Sequence, residues 1–97
     1  MPQYPLVPQP GGVATTLNVT TATVIKATPG RVYTVSVLVA GAAGAIYDSI
    51  STSGNTAANQ IGAVPAVAGP LNFNAFPCAN GIVVAPGAAQ VLSIAWS

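Results

Sequence analysis

TPGRVYTVSVLVAGAAGAIY, residues Thr28 to Tyr47, is the stretch on which the reading of this chain turns. A Pro-Gly turn opens it, a run rich in β-branched residues follows, and a Gly-Ala link leads into a second short apolar run. It is the longest apolar signal in the sequence, so a core has to be built on it. From Arg31 to Ala40 the side chains alternate. Tyr33, Val35, Val37 and Val39 fall on one face, and Val32, Thr34, Ser36 and Leu38 on the other. One apolar face and one mixed face is the pattern of a sheet covered mainly on one side. The richest window, Val35 to Ile46, is too short to cross a bilayer as a helix, which needs about 20 residues. Gly41 to Ala45, GAAGA, has the glycines of a phosphate loop but neither its lysine nor a helix to open.

Outward from this stretch the chain reads as short strands between turn clusters, the pattern of an all-β sandwich. Upstream lie a weak strand over Ala14 to Val19 and a second over Ala22 to Ala27. Downstream, Ala45 to Ile50 is followed by a polar loop, STSGNTAAN, from Ser51 to Asn59. Gln60 to Val64 is a fifth strand. Leu71 to Phe76 alternates cleanly, with Leu71, Phe73 and Ala75 inward and Asn72 and Asn74 outward. Asn80-Gly81 is the strongest hairpin signal in the chain, and Ile82 to Ala85 follows it. Gln90 to Trp96 puts Leu92, Ile94 and Trp96 on one face. No dozen-residue window free of Gly and Pro keeps a helical apolar repeat, so almost no helix is expected.

Residues 1–12, MPQYPLVPQPGG, carry prolines at 2, 5, 8 and 10. That density blocks helix and central strand alike and favours an extended path. The segment is read as an arm that lies across a neighbouring subunit through Tyr4, Leu6 and Val7, the alternative being a frayed terminus. Residues 13–97 form the sandwich domain. No basic segment precedes an apolar run at the N-terminus, so no signal peptide is expected.

Composition narrows the function. The chain has 97 residues, is 52% hydrophobic and only 3% charged, against about 25% charged in ordinary domains. Lys26, Arg31 and Asp48 are its only charges. Charged surface keeps proteins apart in solution, so a chain this neutral is expected to live packed against other copies or a larger surface. Two cations are too few to strip counterions from nucleic acid, so no nucleic-acid partner is expected. Nor is a membrane partner, since one chain has too few strands to close a barrel. Histidine is absent, which removes the commonest general base and metal ligand. One side-chain carboxylate makes no acid–base pair. Cys78 is the single cysteine and has no basic neighbour to activate it, so it reads as a small buried hydrophobe. The expectation is a non-enzyme with no catalytic residues, cofactor or metal. Asp48 has three readings: a turn cap, a partner for Arg31 or Lys26, or a ligand to a shared cation.

Four segments carry a resemblance. VIKATPGRVYTV from Val24, IYDSISTSG from Ile46, NGIVVAPG from Asn80 and the terminal VLSIAW together resemble small β-sandwich structural proteins of tailed bacteriophages. The match runs from Val24 to Trp96 and leaves the Pro-rich arm outside it. The resemblance implies a virion component, most often a head decoration or cement protein, commonly a trimer. It would sit on the major capsid protein at the capsid surface after assembly in the host cytoplasm. No catalytic residues come with it. The expected fold is an all-β, about eight-stranded antiparallel sandwich, jelly-roll-like, with an extended arm. Alternatives are a fibre, neck or tail subunit, or a carbohydrate-binding sandwich module on the virion. Leu38, on the mixed face, and Trp96 are the expected contact residues of the body.

Overall fold

The computed structural model describes residues 14–56 and 58–97; the expected arm contacts Tyr4, Leu6 and Val7 lie outside them. The alternating stretches become eight strands: β1 (Ala14–Val19), β2 (Thr23–Lys26), β3 (Gly30–Val39), β4 (Gly44–Tyr47), β5 (Gln60–Val64), β6 (Gly69–Cys78), β7 (Ile82–Ala85) and β8 (Val91–Trp96). No helix occurs among the described residues. The pairings nest. β4 pairs with β5, β3 with β6, β2 with β7 and β1 with β8, all antiparallel. Two further pairings, β3 with β8 and β4 with β7, roll this nested ribbon into two sheets. Their orders are β1-β8-β3-β6 and β2-β7-β4-β5. This is the jelly-roll arrangement, which stacks two four-stranded sheets face to face.

The core lies between the sheets and is aliphatic. Val32, Val35 and Val37 of β3 meet Leu92 and Ile94 of β8 on one side, and Ile46, Val64, Ile82 and Val84 supply the other. Gly62 on β5 leaves room for the Phe73 ring, since a Cβ there would stand 2.4 Å from it. Beyond Arg31 at its end, the outer face of the first sheet is uncharged. One row across it reads Thr15, Ala95, Thr34, Asn72, and another Ser93, Ser36, Pro70.

Two expectations are corrected. Tyr33 does not join Val35 and Val37 inside. The register of β3 slips between Val32 and Thr34 against both neighbours, so a bulge turns Val32 inward, fully buried. Tyr33 is half-buried, and its hydroxyl lies 3.1 Å from the Ser97 Oγ. Val39 is 52% exposed at the strand end. The second correction concerns Asn80-Gly81, which makes no hairpin. β6 and β7 lie in different sheets, and neither residue takes the positive φ that a type I′ turn requires. The turn carries the chain across the core.

β6 contains Pro70 and Pro77, which a central strand would not tolerate. It is an edge strand, where the missing N–H costs no ladder bond. Phe73, Asn74 and Ala75 bulge opposite Tyr33, and Asn74 and Ala75 take left-handed φ of 53° and 58°. An edge so interrupted is a poor template for another strand.

Candidate functional site

Strand direction reverses at every connection, so the connections sort into two sets. Segments 27–29, 48–59 and 79–81 lie at one end of the sandwich. Segments 20–22, 40–43, 65–68 and 86–90 lie at the other. The two ends differ in chemistry.

The first end holds all three charges. Lys26 closes β2, Arg31 opens β3 and Asp48 follows β4. Asp48 is a turn cap. Its Oδ2 accepts the Ala79 N–H at 3.0 Å, and its Oδ1 accepts those of Asn80 at 2.8 Å and Gly81 at 3.2 Å. Desolvation works against the charge, but the hydrogen bonds from Asn80, Gly81 and Ala79 outweigh it and hold the carboxyl below its ordinary value. The carboxylate thus holds the β6–β7 crossing in place. No cluster of three or more metal-ligating side chains occurs among the described residues.

Arg31 is fixed at both ends. Its backbone exchanges hydrogen bonds of 3.0 Å with Ser97, and its Nη1 donates to the Ala75 carbonyl at 3.1 Å. Lys26 and Arg31 border an open cavity of about 350 Å³ together with Pro29, Pro77 and Cys78. Cys78 is 2% exposed. Burial, helped by the nearby Asp48 charge, pushes its thiol up to about 11, so it stays protonated and unreactive at neutral pH. Beside the cavity is a second cleft of about 480 Å³, bordered by Pro29, Asp48, Ile50, Asn59 and Asn80. The polar 48–59 loop is braced internally. Asn55 Nδ2 donates to the Ser51 carbonyl at 2.8 Å, and Asn59 Nδ2 donates to Asn55 Oδ1 at 2.9 Å.

The second end carries no charge. Its segments read TTA, AGAA, PAVA and PGAAQ. They are tied together by Gln90, which is 1% exposed. Its Oε1 accepts the Gly87 N–H at 3.0 Å, and its Nε2 donates to the Pro65 carbonyl at 2.9 Å. Ala42 N–H donates to the Ala88 carbonyl at 2.9 Å. The backbones of 40–43 and 86–90 touch so closely that a Cβ on Gly87 would meet the Ala42 carbonyl at 2.2 Å.

Large apolar side chains stand exposed at this uncharged end: Leu17 at 69%, Leu38 at 51%, Val39 at 52% and Val67 at 70%. Leu17 is on β1, Val91 of β8 pairs with Val39 of β3, and Val67 leads into β6. The patch therefore crosses the first sheet in its strand order. Leu38, the contact residue expected from sequence, belongs to it. Trp96 does not. It packs against the core and its Nε1 donates to Thr16 Oγ1 at 2.9 Å, fastening β1 to β8.

Sequence reasoning missed Leu17, Val67 and Gln90. Leu17 and Val67 sit in weak strand and loop signals, and only the three-dimensional order of the strands gathers them. Chemically the two ends offer contact surface: a donor-bearing charged rim and an apolar patch. No protein-family model, curated protein or solved structure matches the chain.

Proposed function

We propose that this protein is a structural component of a bacteriophage virion, a head decoration or cement protein bound to the major capsid protein at the capsid surface. The observation that supports this most is the jelly-roll strand order in a chain whose strands carry no charge beyond Lys26 and Arg31. Jelly rolls serve viral capsids and lectins alike, so the fold supports the reading by analogy. The near-neutral surface supports it physically. Uncharged faces pack without the cost of stripping water from ions, and little in them is screened by salt.

The mechanism is mass action. A protein that binds the assembled shell and not its free subunits stabilises the shell by RT ln(1 + [L]/Kd), about 2.7 kcal/mol per site at a hundredfold excess over Kd. A trimer multiplies this by engaging neighbouring capsomers at once.

The test mixes purified protein with its cognate empty heads. Saturable co-sedimentation and a higher temperature of genome release from filled heads are expected. Absence of co-sedimentation across a wide concentration range overturns the capsid reading. Localisation of the labelled protein in virions by electron microscopy separates a head site from a fibre, neck or tail site.

A further inference from the structure

We infer that the apolar patch at the uncharged end is the receiving surface for the N-terminal arm of a second copy of this chain. Copies then join head to tail, the arm of each seated on Leu17, Leu38, Val39, Val67 and Val91 of the next.

The patch is exposed, apolar and without a charged neighbour in its four connecting segments. Exposed apolar surface of this kind marks an interaction site. Its occupant has to be uncharged as well, since an ion buried against it would go unpaired. Residues 1–13 contain no charged side chain; Gln3 and Gln9 are their amides, and Tyr4, Leu6 and Val7 lie between them.

Geometry decides between the chain's own patch and a neighbour's. β1 enters the sandwich at the charged end, where Ala14 pairs with Trp96. The patch lies at the opposite end. To reach its own patch the arm has to reverse and run back along the body. An arm attached at the charged end meets the patch of a copy stacked end to end on that side without reversing. Twelve residues in an extended proline-rich path span about 37 Å, at ~3.1 Å per residue. That exceeds the ~33 Å length of the ten-residue β3, so the arm is long enough to cross a boundary and lie over the whole patch. A head-to-tail contact uses two different surfaces and closes into a ring when its rotation permits, which is how a trimer would arise.

The test uses two defective full-length partners. One lacks residues 1–12, so it cannot donate but keeps the patch. The other carries Leu38→Lys and Val67→Lys, both at exposed sites, so it folds and keeps the arm but cannot receive. Circular dichroism confirms that each is folded. Sedimentation velocity is expected to show the wild type as a closed oligomer and each variant alone as a monomer. Mixed, the two variants are expected to form a complex of twice the monomer mass and grow no further. An unchanged oligomer in either variant overturns the inference, as does a monomeric wild type. A mixture that stays monomeric overturns it too and places the arm on its own body. The inference and the capsid reading fail separately. Heads that bind a monomeric wild type remove the arm contact and leave decoration standing. An arm-linked oligomer that ignores heads does the reverse.

Discussion

Removing the Asp48 carboxylate tests the internal logic of the charged end. In Asp48→Ala, the N–H groups of Ala79, Asn80 and Gly81 lose their acceptor. Hydrogen bonds to a charged group are worth about 1.5–3 kcal/mol each, but the three do not simply add. Ala79 and Asn80 are exposed, so water replaces the carboxylate there; Gly81 is buried, so its N–H is stranded. The expected loss is therefore about 2–3 kcal/mol, near the cost of one stranded donor with a small remainder. Urea unfolding at fixed protein concentration reads this as a midpoint lowered by about 2–3 M, at a slope of ~1 kcal/mol/M for a small domain. The dependence on pH is the sharper signature. The folded carboxyl titrates below its ordinary value of 3.8. Its contribution is therefore fully present above that value and fades as pH falls through the lower folded value. With no histidine and a single side-chain carboxylate in the chain, the gap between wild type and variant should be constant from pH 5 to 8 and narrow below pH 4, a window set by about 3.9 for a free Asp. A gap under ~0.5 kcal/mol at pH 7, the range of an ordinary surface substitution, refutes the assignment. So does a gap that persists unchanged at pH 2.

Three further outcomes are expected. Cys78 should resist a thiol reagent at pH 8 in the native protein and react once per chain in denaturant. Because its thiol is raised from 9.0 to about 11, stability should decline as pH climbs through that interval, which alkaline urea titrations would follow. Gln90→Ala frees a partly buried N–H and a carbonyl in two connecting segments and should cost about 1–3 kcal/mol in thermal or urea unfolding. Gly87→Ala should be worse tolerated than Gly62→Ala. The new methyl at 87 meets fixed backbone at 2.2 Å, whereas at 62 it meets the movable Phe73 ring at 2.4 Å; comparing the two melting temperatures checks this.

Much of the fold is legible in the sequence where alternation is uninterrupted. Gln60–Val64 and Ile82–Ala85 emerge with the bounds read from the residues. The register of β3 is not legible, because the bulge at Tyr33 depends on two extra residues in β6, a partner about forty positions away in the chain. Asn80-Gly81 misleads for a related reason. Local turn chemistry is blind to whether the next strand pairs with the last one or crosses to another sheet. β6 reads short because Pro70 and Pro77 look like boundaries in the sequence, while its edge position admits both. For the candidate site, Leu38 was visible as an apolar residue on a polar face. The role of Asp48 was one of three, and its hydrogen bonds to 79–81 select the turn cap.

The nested pairing also sets the order in which the molecule becomes complete. Only β4 and β5 are near neighbours in sequence, closed by the 12 residues 48–59, whereas β1 and β8 are separated by the 71 residues 20–90. Closing the outer loop costs about 1.6 kcal/mol more than the inner one, since loop entropy grows as 3/2 RT ln n. β3 lies between β6 and β8, so the most apolar strand has no second neighbour until the ribosome has made β8. A nascent chain in that condition has an open strand with Arg31 as its one charge, and only three charges in all to keep it from its siblings. Such topologies fold slowly, in about milliseconds to seconds, and partly made sheets are prone to misassociate. Yield on expression should therefore depend on how quickly β8 follows β7, and pausing codons before β8 should drive the protein into aggregates.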